Sequence, residues 1–225
     1  MIVRWYGQSA FLLSGSRRVF IDPFGPMNRL AAQGLKFDYP AIEGVEADLV
    51  LVTHEHGDHN VVEAVGGSPP VIRTTGTHAD SPVGEVVGIA SEHDDVAGTG
   101  RGANTIFRLS LDGLAFAHLG DFGQPALRPE QREALGSVDV LFMPAGGGPT
   151  IGGESAAALV REVGPRLVIP MHYATPAVNF LEPPDAFLNA LGAEVERLDS
   201  SEAELEPLLG TTEQPRVALL AAPIG

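Results

Sequence analysis

The order of apolar segments predicts an α/β fold in which two β-sheets pack face to face with helices outside. Three observations carry this. Short apolar or alternating runs bounded by Gly, Asp and Pro crowd the first half of the chain, where antiparallel pairing should dominate. In the second half such runs alternate with stretches whose apolar residues recur three or four positions apart, the pattern of strand followed by helix. Hydrophobic residues make up 44% of the 225, enough to build a substantial core.

Taken along the chain, the predicted strands are Ile2 to Tyr6, Ala10 to Leu13, Val19 to Asp22, Leu49 to Thr53, Val71 to Arg73, Val86 to Ala90, Thr105 to Leu109, Leu114 to His118, Val138 to Phe142, Leu167 to Pro170, Glu194 to Leu198 and Val217 to Ala221. Ser14-Gly15-Ser16 and Leu111-Asp112-Gly113 each separate two such runs and read as hairpin turns. Helices are predicted over Asn60 to Val65, Pro129 to Ala134, Glu154 to Val163 and Pro184 to Leu191. Pro129 and Pro184 stand where a first turn tolerates proline, and Gly136, Gly164 and Gly192 stand where a helix stops. Ala156, Ala157, Leu159 and Val160 give the third helix a broad apolar face that should lie on a sheet.

No repeat, low-complexity tract or Pro/Ser linker divides the chain, so one domain over residues 1–225 is expected. No apolar stretch reaches the roughly 18 to 20 residues of a membrane span, and the N-terminus lacks the order of a secretory signal, which predicts a cytoplasmic protein. A net charge of −15 disfavours phosphate backbones and anionic lipid as partners. The expected partner is a small-molecule substrate, with neither nucleic acid nor membrane, and self-association is left open. With no cysteine in the chain, no thiolate can serve as ligand or nucleophile.

The chemistry concentrates in Thr53-His54-Glu55-His56-Gly57-Asp58-His59, which holds three of the chain's seven histidines. Imidazole nitrogens and carboxylate oxygens are the donors that borderline cations such as Zn²⁺ take. The two leading histidines are two apart, unlike the four-residue spacing of a zincin helix, and Glu55 between them should point the opposite way if the chain is extended. The remaining candidates are His78, His93, His118 and His172, with Asp22, Asp121 and Asp139 at strand ends. Asp121 and His172 both stand where a strand gives way to a loop, where sites are assembled in α/β folds. His118, an odd number of residues before Asp121, should face away from it unless Gly120 breaks the period. His78 reads as a surface residue. Asp22 reads as an acceptor for the cluster's backbone or for a ligand histidine, and not as a ligand itself.

Several pieces together resemble the metallo-β-lactamase superfamily, and within it the single-domain hydrolases of the ascorbate-6-phosphate lactonase branch. They are Gly7-Gln8-Ser9 with Phe11-Leu12-Leu13, Phe20-Ile21-Asp22-Pro23-Phe24, the run Thr53 to His59, His93, Gly120-Asp121 and Ile169-Pro170-Met171-His172-Tyr173. The resemblance implies a four-layer αββα sandwich with the site in the cleft between the sheet edges. It implies that His54, His56 and His93 hold one metal, that Asp58, His59 and His172 hold a second, and that Asp121 bridges them. The cofactors would be two divalent ions, with Zn²⁺ favoured and Mn²⁺ or Fe²⁺ compatible with the same donors. Such a site lowers the pKa of a shared water, so that hydroxide can attack an ester, lactone or phosphoester centre, with Asp58 orienting the water.

Two departures from relatives bear on function. Gln8 stands where many carry histidine, and an amide cannot shuttle a proton. Ser91-Glu92-His93-Asp94-Asp95 lacks the Pro-Gly-His-Thr pattern of glyoxalase II and its thioesterase kin, which argues against glutathione thioesters. The long connection Gly25 to Tyr39 could wall the substrate site, and Arg29, Lys36, Arg73 and Arg101 are candidate partners for an anionic group. The functions to separate are a hydrolase of small esters or lactones, a small-molecule phosphodiesterase, and a non-catalytic metal-binding or sensor protein.

Overall fold

In a computed structural model that describes residues 1–223, the side chains of Arg29 and Ala31 excepted, the predicted runs pair into two sheets. The first contains β1 (Ile2–Gly7), β2 (Ala10–Ser14), β3 (Arg18–Ile21), β4 (Leu49–Leu51) and β5 (Val71–Ile72). The second begins with β6 (Gly76–Ser81), β7 (Gly84–Glu92), β8 (Ala103–Leu111) and β9 (Leu114–His118). It continues with β10 (Val140–Pro144), β11 (Leu167–Met171) and β12 (Glu194–Arg197). β13 (Glu202–Glu204) returns to the first sheet and β14 (Arg216–Leu219) completes the second. The spatial orders are β13-β1-β2-β3-β4-β5 and β12-β14-β11-β10-β9-β8-β7-β6.

Strand alternation explains the stacking. Phe11, Leu13, Val19, Ile21, Leu49 and Leu51 of the first sheet share one buried cluster with Phe107, Leu109, Phe116 and Phe142 of the second. The rings of Phe11 and Phe142 meet across the interface at 4.6 Å. Their alternates Leu12, Phe20, Val50 and Val52 face outward, under Phe24, Tyr39, Ile42, Val45, Val178 and Leu181. β10 and β11 are buried at every residue, as parallel strands covered on both faces must be.

Of the helices, α1 (Asn28–Ala32) lies in the connection after β3, and α2 (Pro129–Leu135), α3 (Gly153–Val163) and α4 (Asp185–Leu191) follow in the second half. α3 buries Ala156, Ala157, Leu159, Val160 and Val163, and Gly164 and Gly192 close α3 and α4 in the left-handed conformation that glycine adopts freely. The outer layer on the first sheet is thin, built largely from coil of residues 37–47 and 174–181. The helix predicted over Asn60 to Val65 is a single 3₁₀ turn at Val62–Ala64, preceded by Val61, whose N–H donates to the Pro23 carbonyl at 2.8 Å. Pro184 caps α4 instead of opening it. Among the described residues no helix is long and apolar enough to cross a membrane.

The topology places the site. β3 and β4 are parallel and β1 runs with them, so the Gly7-Gln8-Ser9 turn, Asp22 and the run Thr53 to His59 emerge at one edge of the first sheet. In the second sheet β7, β9, β10 and β11 all point the same way, so His93, Asp121, Gly146 and His172 emerge together at the facing edge. Thr105 N–H donates to the Thr53 carbonyl at 2.8 Å and His172 N–H to the Gln8 carbonyl at 3.2 Å, which tie the two edges together.

Candidate metal centre

Three buried polar residues fix the loops before any ligand is considered. Asp22, fully buried, accepts from Thr53 N–H at 2.8 Å, Thr53 Oγ1–H at 2.7 Å and His59 Nδ1 at 2.9 Å. Asn104 on β8 accepts from Asp121 N–H at 3.0 Å and donates to the Leu119 carbonyl at 2.8 Å, which clamps the turn that carries Asp121. Gln8 donates from Nε2 to Asp58 Oδ2 at 3.1 Å. Sequence reasoning anticipated Asp22 but missed Asn104. A lone buried amide in a strand leaves no periodic trace, and only its placement beside Thr105 in an apolar run hinted at it.

Of the non-glycine residues with positive φ, three stand at this edge: Gln8 (51°), Asp22 (52°) and His172 (51°). Such conformations cost of order 1–3 kcal/mol each and persist where the surroundings over-determine them. Gly120 (φ 57°) is required differently, because a Cβ there would lie 2.7 Å from Thr53 Cβ and 2.8 Å from Thr53 Oγ1. Gly120→Ala is expected to lower stability by about 2–3 kcal/mol. An unchanged urea midpoint would contradict this packing account.

All seven residues predicted as ligands converge. Nitrogen and oxygen atoms of His54, His56 and His93 form one group, those of Asp58, His59 and His172 another, and His54, His59 and Asp121 a third that joins them. Asp121 Oδ2 lies 3.1 Å from His93 Nε2, 3.1 Å from His172 Nε2, 3.3 Å from His59 Nε2 and 3.9 Å from His54 Nε2. One carboxylate oxygen therefore faces imidazoles of both triads. His59, His93, Asp121 and His172 are buried, whereas His56 and Gly57 are exposed and Asp58 is partly so, so the centre opens toward solvent at residues 56–58.

Hydrogen bonding dictates which ring nitrogens face inward. A carboxylate only accepts, so His59 Nδ1 must donate to Asp22 and Nε2 is turned toward Asp121. Thr53 Oγ1 gives its proton to Asp22 and is left to accept from His54 Nδ1 at 3.1 Å, which turns His54 Nε2 inward. His93 Nδ1 donates to the Pro149 carbonyl at 3.1 Å, which again frees Nε2. Each orientation is what a metal-ligating histidine needs.

The electrostatics agree with a cation-binding role. Burial, then the His59 charge, pushes His54 down to about 2, so it is a neutral lone-pair donor. Burial works against ionised Asp121, yet His172 and His59 hold its carboxyl well below the usual range. Asp58 is likewise depressed by His59 against the effect of burial. Burial would also lower His59, but Asp121, Asp58 and Asp22 outweigh it and raise it well above the ordinary value. His59 Nε2 and His172 Nδ1 are buried without hydrogen-bond partners. The orphaned His59 Nε2 beside the Asp58 and Asp121 carboxylates belongs to a donor set that fits divalent cations, whereas His172 turns Nε2 toward Asp121 and its orphaned Nδ1 is on the other side of the ring.

Other candidates are elsewhere. Glu55 points outward, although the chain there forms bends and a turn instead of the extended backbone on which that expectation rested, and it pairs with Arg73 at 2.9 Å, so Arg73 is engaged at the surface. Lys36 donates to the Pro176 carbonyl at 2.6 Å. Arg101 lines a small cleft of about 280 Å³ with Asp94 and Asp95, beyond His93. The Arg29 side chain lies outside the described residues. His118 is fully buried beneath the centre, donates from Nε2 to the Ser9 carbonyl at 3.0 Å and accepts from Gly120 N–H, so both nitrogens are used. His78 contacts the Thr74 carbonyl, and Asp139 braces Ala115 and Arg166 away from the site.

The Gln8 bond to Asp58 yields a second expected result. Gln8→Ala should weaken metal affinity about 10- to 100-fold through loss of carboxylate orientation, while leaving stoichiometry at saturation unchanged. Titration calorimetry on the metal-depleted protein checks it, and unaltered affinity would assign Gln8 to packing alone.

Comparison with known proteins places this geometry. The sequence profile of the β-lactamase superfamily domain matches residues 2–172. A UPF0173 metal-dependent hydrolase of Thermococcus kodakarensis is 34% identical over 86% of this chain and 93% of its own. A Thermotoga maritima structure of the metallo-β-lactamase superfamily, assigned as a Zn-dependent hydrolase, superposes with a TM-score of 0.75 at 29% identity over 98% of both chains. Igni18, a metallo hydrolase of Ignicoccus hospitalis, shares the fold with a TM-score of 0.63 at 18% identity, over 99% of this chain and 96% of its own. With its two facing sheets and the cluster at their common edge, the chain belongs to the β-lactamase superfamily and, within it, to the UPF0173 family of metal-dependent hydrolases.

Proposed function

We propose that this protein hydrolyses a small ester or lactone with two divalent cations, Zn²⁺ favoured, held by His54, His56 and His93 on one side and Asp58, His59 and His172 on the other, with Asp121 shared. The observation that carries the reading is the position of Asp121 Oδ2, within 3.1–3.3 Å of Nε2 of His59, His93 and His172. Bound cations would supply an activated water near neutral pH and polarise the group under attack.

The chain's own residues do the rest. Asp58, ionised and oriented by Gln8 Nε2, is placed at the mouth to hold a water and accept its proton. Glu55 faces away and cannot share that role. Gln8 cannot donate a proton in catalysis. The buried floor excludes water behind the reacting centre, so substrate enters past His56, Gly57 and Asp58. A donor set without thiolate suits Zn²⁺, Mn²⁺ and Fe²⁺, and Zn²⁺ is favoured by imidazole content. The lactone candidate rests on the likeness to the ascorbate-6-phosphate lactonase branch.

The test is elemental analysis of untagged protein, paired with turnover of an ester, a lactone and a phosphodiester. Close to two equivalents with ester or lactone turnover is the expected result. Preference for the phosphodiester would replace the substrate class, and absence of metal after reconstitution would overturn the reading.

A further inference from the structure

Beside the mouth of the metal centre lies a second cavity, of about 510 Å³, that the hydrolytic machinery does not use. Its walls include Phe24, Met27, Phe37, Tyr39, Ile42 and Val61. The three aromatic rings are mutually packed, with Phe24 and Phe37 edge-to-face at 5.2 Å and Phe37 and Tyr39 edge-to-face at 5.4 Å. A concave, mostly apolar cavity of this size, with few polar groups, is the ordinary form of a small-molecule subsite.

The cavity is built from the same chain segments that carry the centre. Phe24 follows Asp22 by two residues, and Val61 follows His59 by two, with its N–H bound to the Pro23 carbonyl. Phe37 pairs with Val178, and Tyr39 Oη bonds Thr175 Oγ1 at 3.1 Å, both on the segment that leaves His172. Met27 closes the gap to the centre, since its Sδ lies 3.6 Å from where a Cβ of Gly57 would stand. Gly57 is exposed between His56 and Asp58, at the mouth itself. A substrate held at Asp58 therefore lies near Met27, the cavity wall on the side of the centre. The one charged side chain among the described residues lining it is Glu63, which is exposed and of the wrong sign to bind a phosphate.

We infer that this cavity is the specificity pocket for a hydrophobic acyl or aryl group, so that the preferred substrate is an ester or lactone with an apolar substituent and not a sugar phosphate. The inference rests on the hydrolase reading above and names the substrate class within it. A flexible Met27 at the border lets the apolar group pass from the reacting centre into the cavity, as thioether side chains adapt to varied shapes.

The test compares p-nitrophenyl acetate, butyrate and octanoate on the metal-loaded protein. kcat/KM is expected to rise at least about tenfold from acetate to octanoate, the scale on which hydrophobic pockets discriminate. Ala41 lines the cavity from an exposed position, so Ala41→Phe should fill it without disturbing the core. The octanoate-to-acetate ratio should then fall about tenfold. A flat chain-length series, or an unchanged ratio in Ala41→Phe, would overturn the pocket while leaving the hydrolase standing. Binding of the uncharged dye phenylnaphthylamine, displaced by octanol, provides a readout independent of turnover. Dye binding that Ala41→Phe abolishes, in a metal-loaded protein that turns over neither ester nor lactone, would retain the cavity as an apolar site but overturn its role as the specificity pocket together with the ester and lactone reading. Absence of dye binding would overturn the pocket whatever the catalysis.

Discussion

Asp121→Ala is expected to strip the protein of bound metal, from close to two equivalents toward none, and to lower kcat/KM on its best ester or lactone by ~10³-fold or more. The reason is its position. Asp121 Oδ2 is within 3.3 Å of Nε2 of three histidines drawn from both triads, so its loss removes the carboxylate that faces both groups of imidazoles. Loss of about 4 kcal/mol of transition-state stabilisation, a modest share of what metal assistance supplies, already corresponds to ~10³ in rate. The substitution also takes from His93 and His172 the carboxylate that their Nε2 atoms face. Asp121→Asn keeps the volume and removes the charge, and should behave nearly as badly. Far-UV circular dichroism on both variants separates loss of metal from loss of fold. Retention of two equivalents and full turnover in a folded Asp121→Ala protein would remove Asp121 from the site.

The centre was legible in the sequence to an unusual degree because its donors are chemically distinctive and sit at strand ends. His54, His56, Asp58 and His59 announce themselves within one turn of chain, and His93, Asp121 and His172 each follow a strand whose apolar run could be read directly. They converge because β4 in one sheet and β7, β9 and β11 in the other deliver their C-terminal ends to a common edge. What could not be read follows from the same physics. β6 (Gly76–Ser81) and β13 (Glu202–Glu204) are edge strands with polar, largely exposed residues, so no alternation marks them. α1 is five residues long and lies within a connection that offers no amphipathic period. The engagement of Arg73 by Glu55, and of Lys36 by a carbonyl, depends on tertiary neighbours that composition does not specify. Asn104 and Ser9 escaped for a related reason, since each supports Asp121 through a single long-range hydrogen bond.

Asp22 gives the largest expected effect on stability, and its two substitutions separate fold from chemistry. Asp22→Ala removes a buried carboxylate that accepts from Thr53 N–H, Thr53 Oγ1–H and His59 Nδ1, and leaves those donors without partners in a region where water does not reach. Orphaning buried donors costs roughly 1–3 kcal/mol each, more for a charged partner, so a loss of about 3–5 kcal/mol is expected. Alanine must also hold the left-handed φ of 52° that Asp tolerates better. Asp22→Asn is more informative. Its amide can still accept from Thr53 N–H at Oδ1, and much of the packing survives, but Nδ2 now presents protons where Oδ2 accepted them. His59 Nδ1 must then become an acceptor, which moves its proton to Nε2, the atom aimed at Asp121, and a protonated nitrogen cannot ligate. Thr53 Oγ1 must likewise redirect its hydrogen toward His54 Nδ1, which moves the His54 proton to Nε2 as well. One change of an oxygen to an amide thus inverts a histidine in each triad. A folded Asp22→Asn protein, with a melting transition near that of the metal-free wild type but metal binding weakened at least about 10- to 100-fold, is the expected outcome of calorimetry and thermal denaturation together. Binding as tight as in the wild type would show that Asp22 serves only to hold the backbone of Thr53, and that the ring orientations of His54 and His59 are set elsewhere.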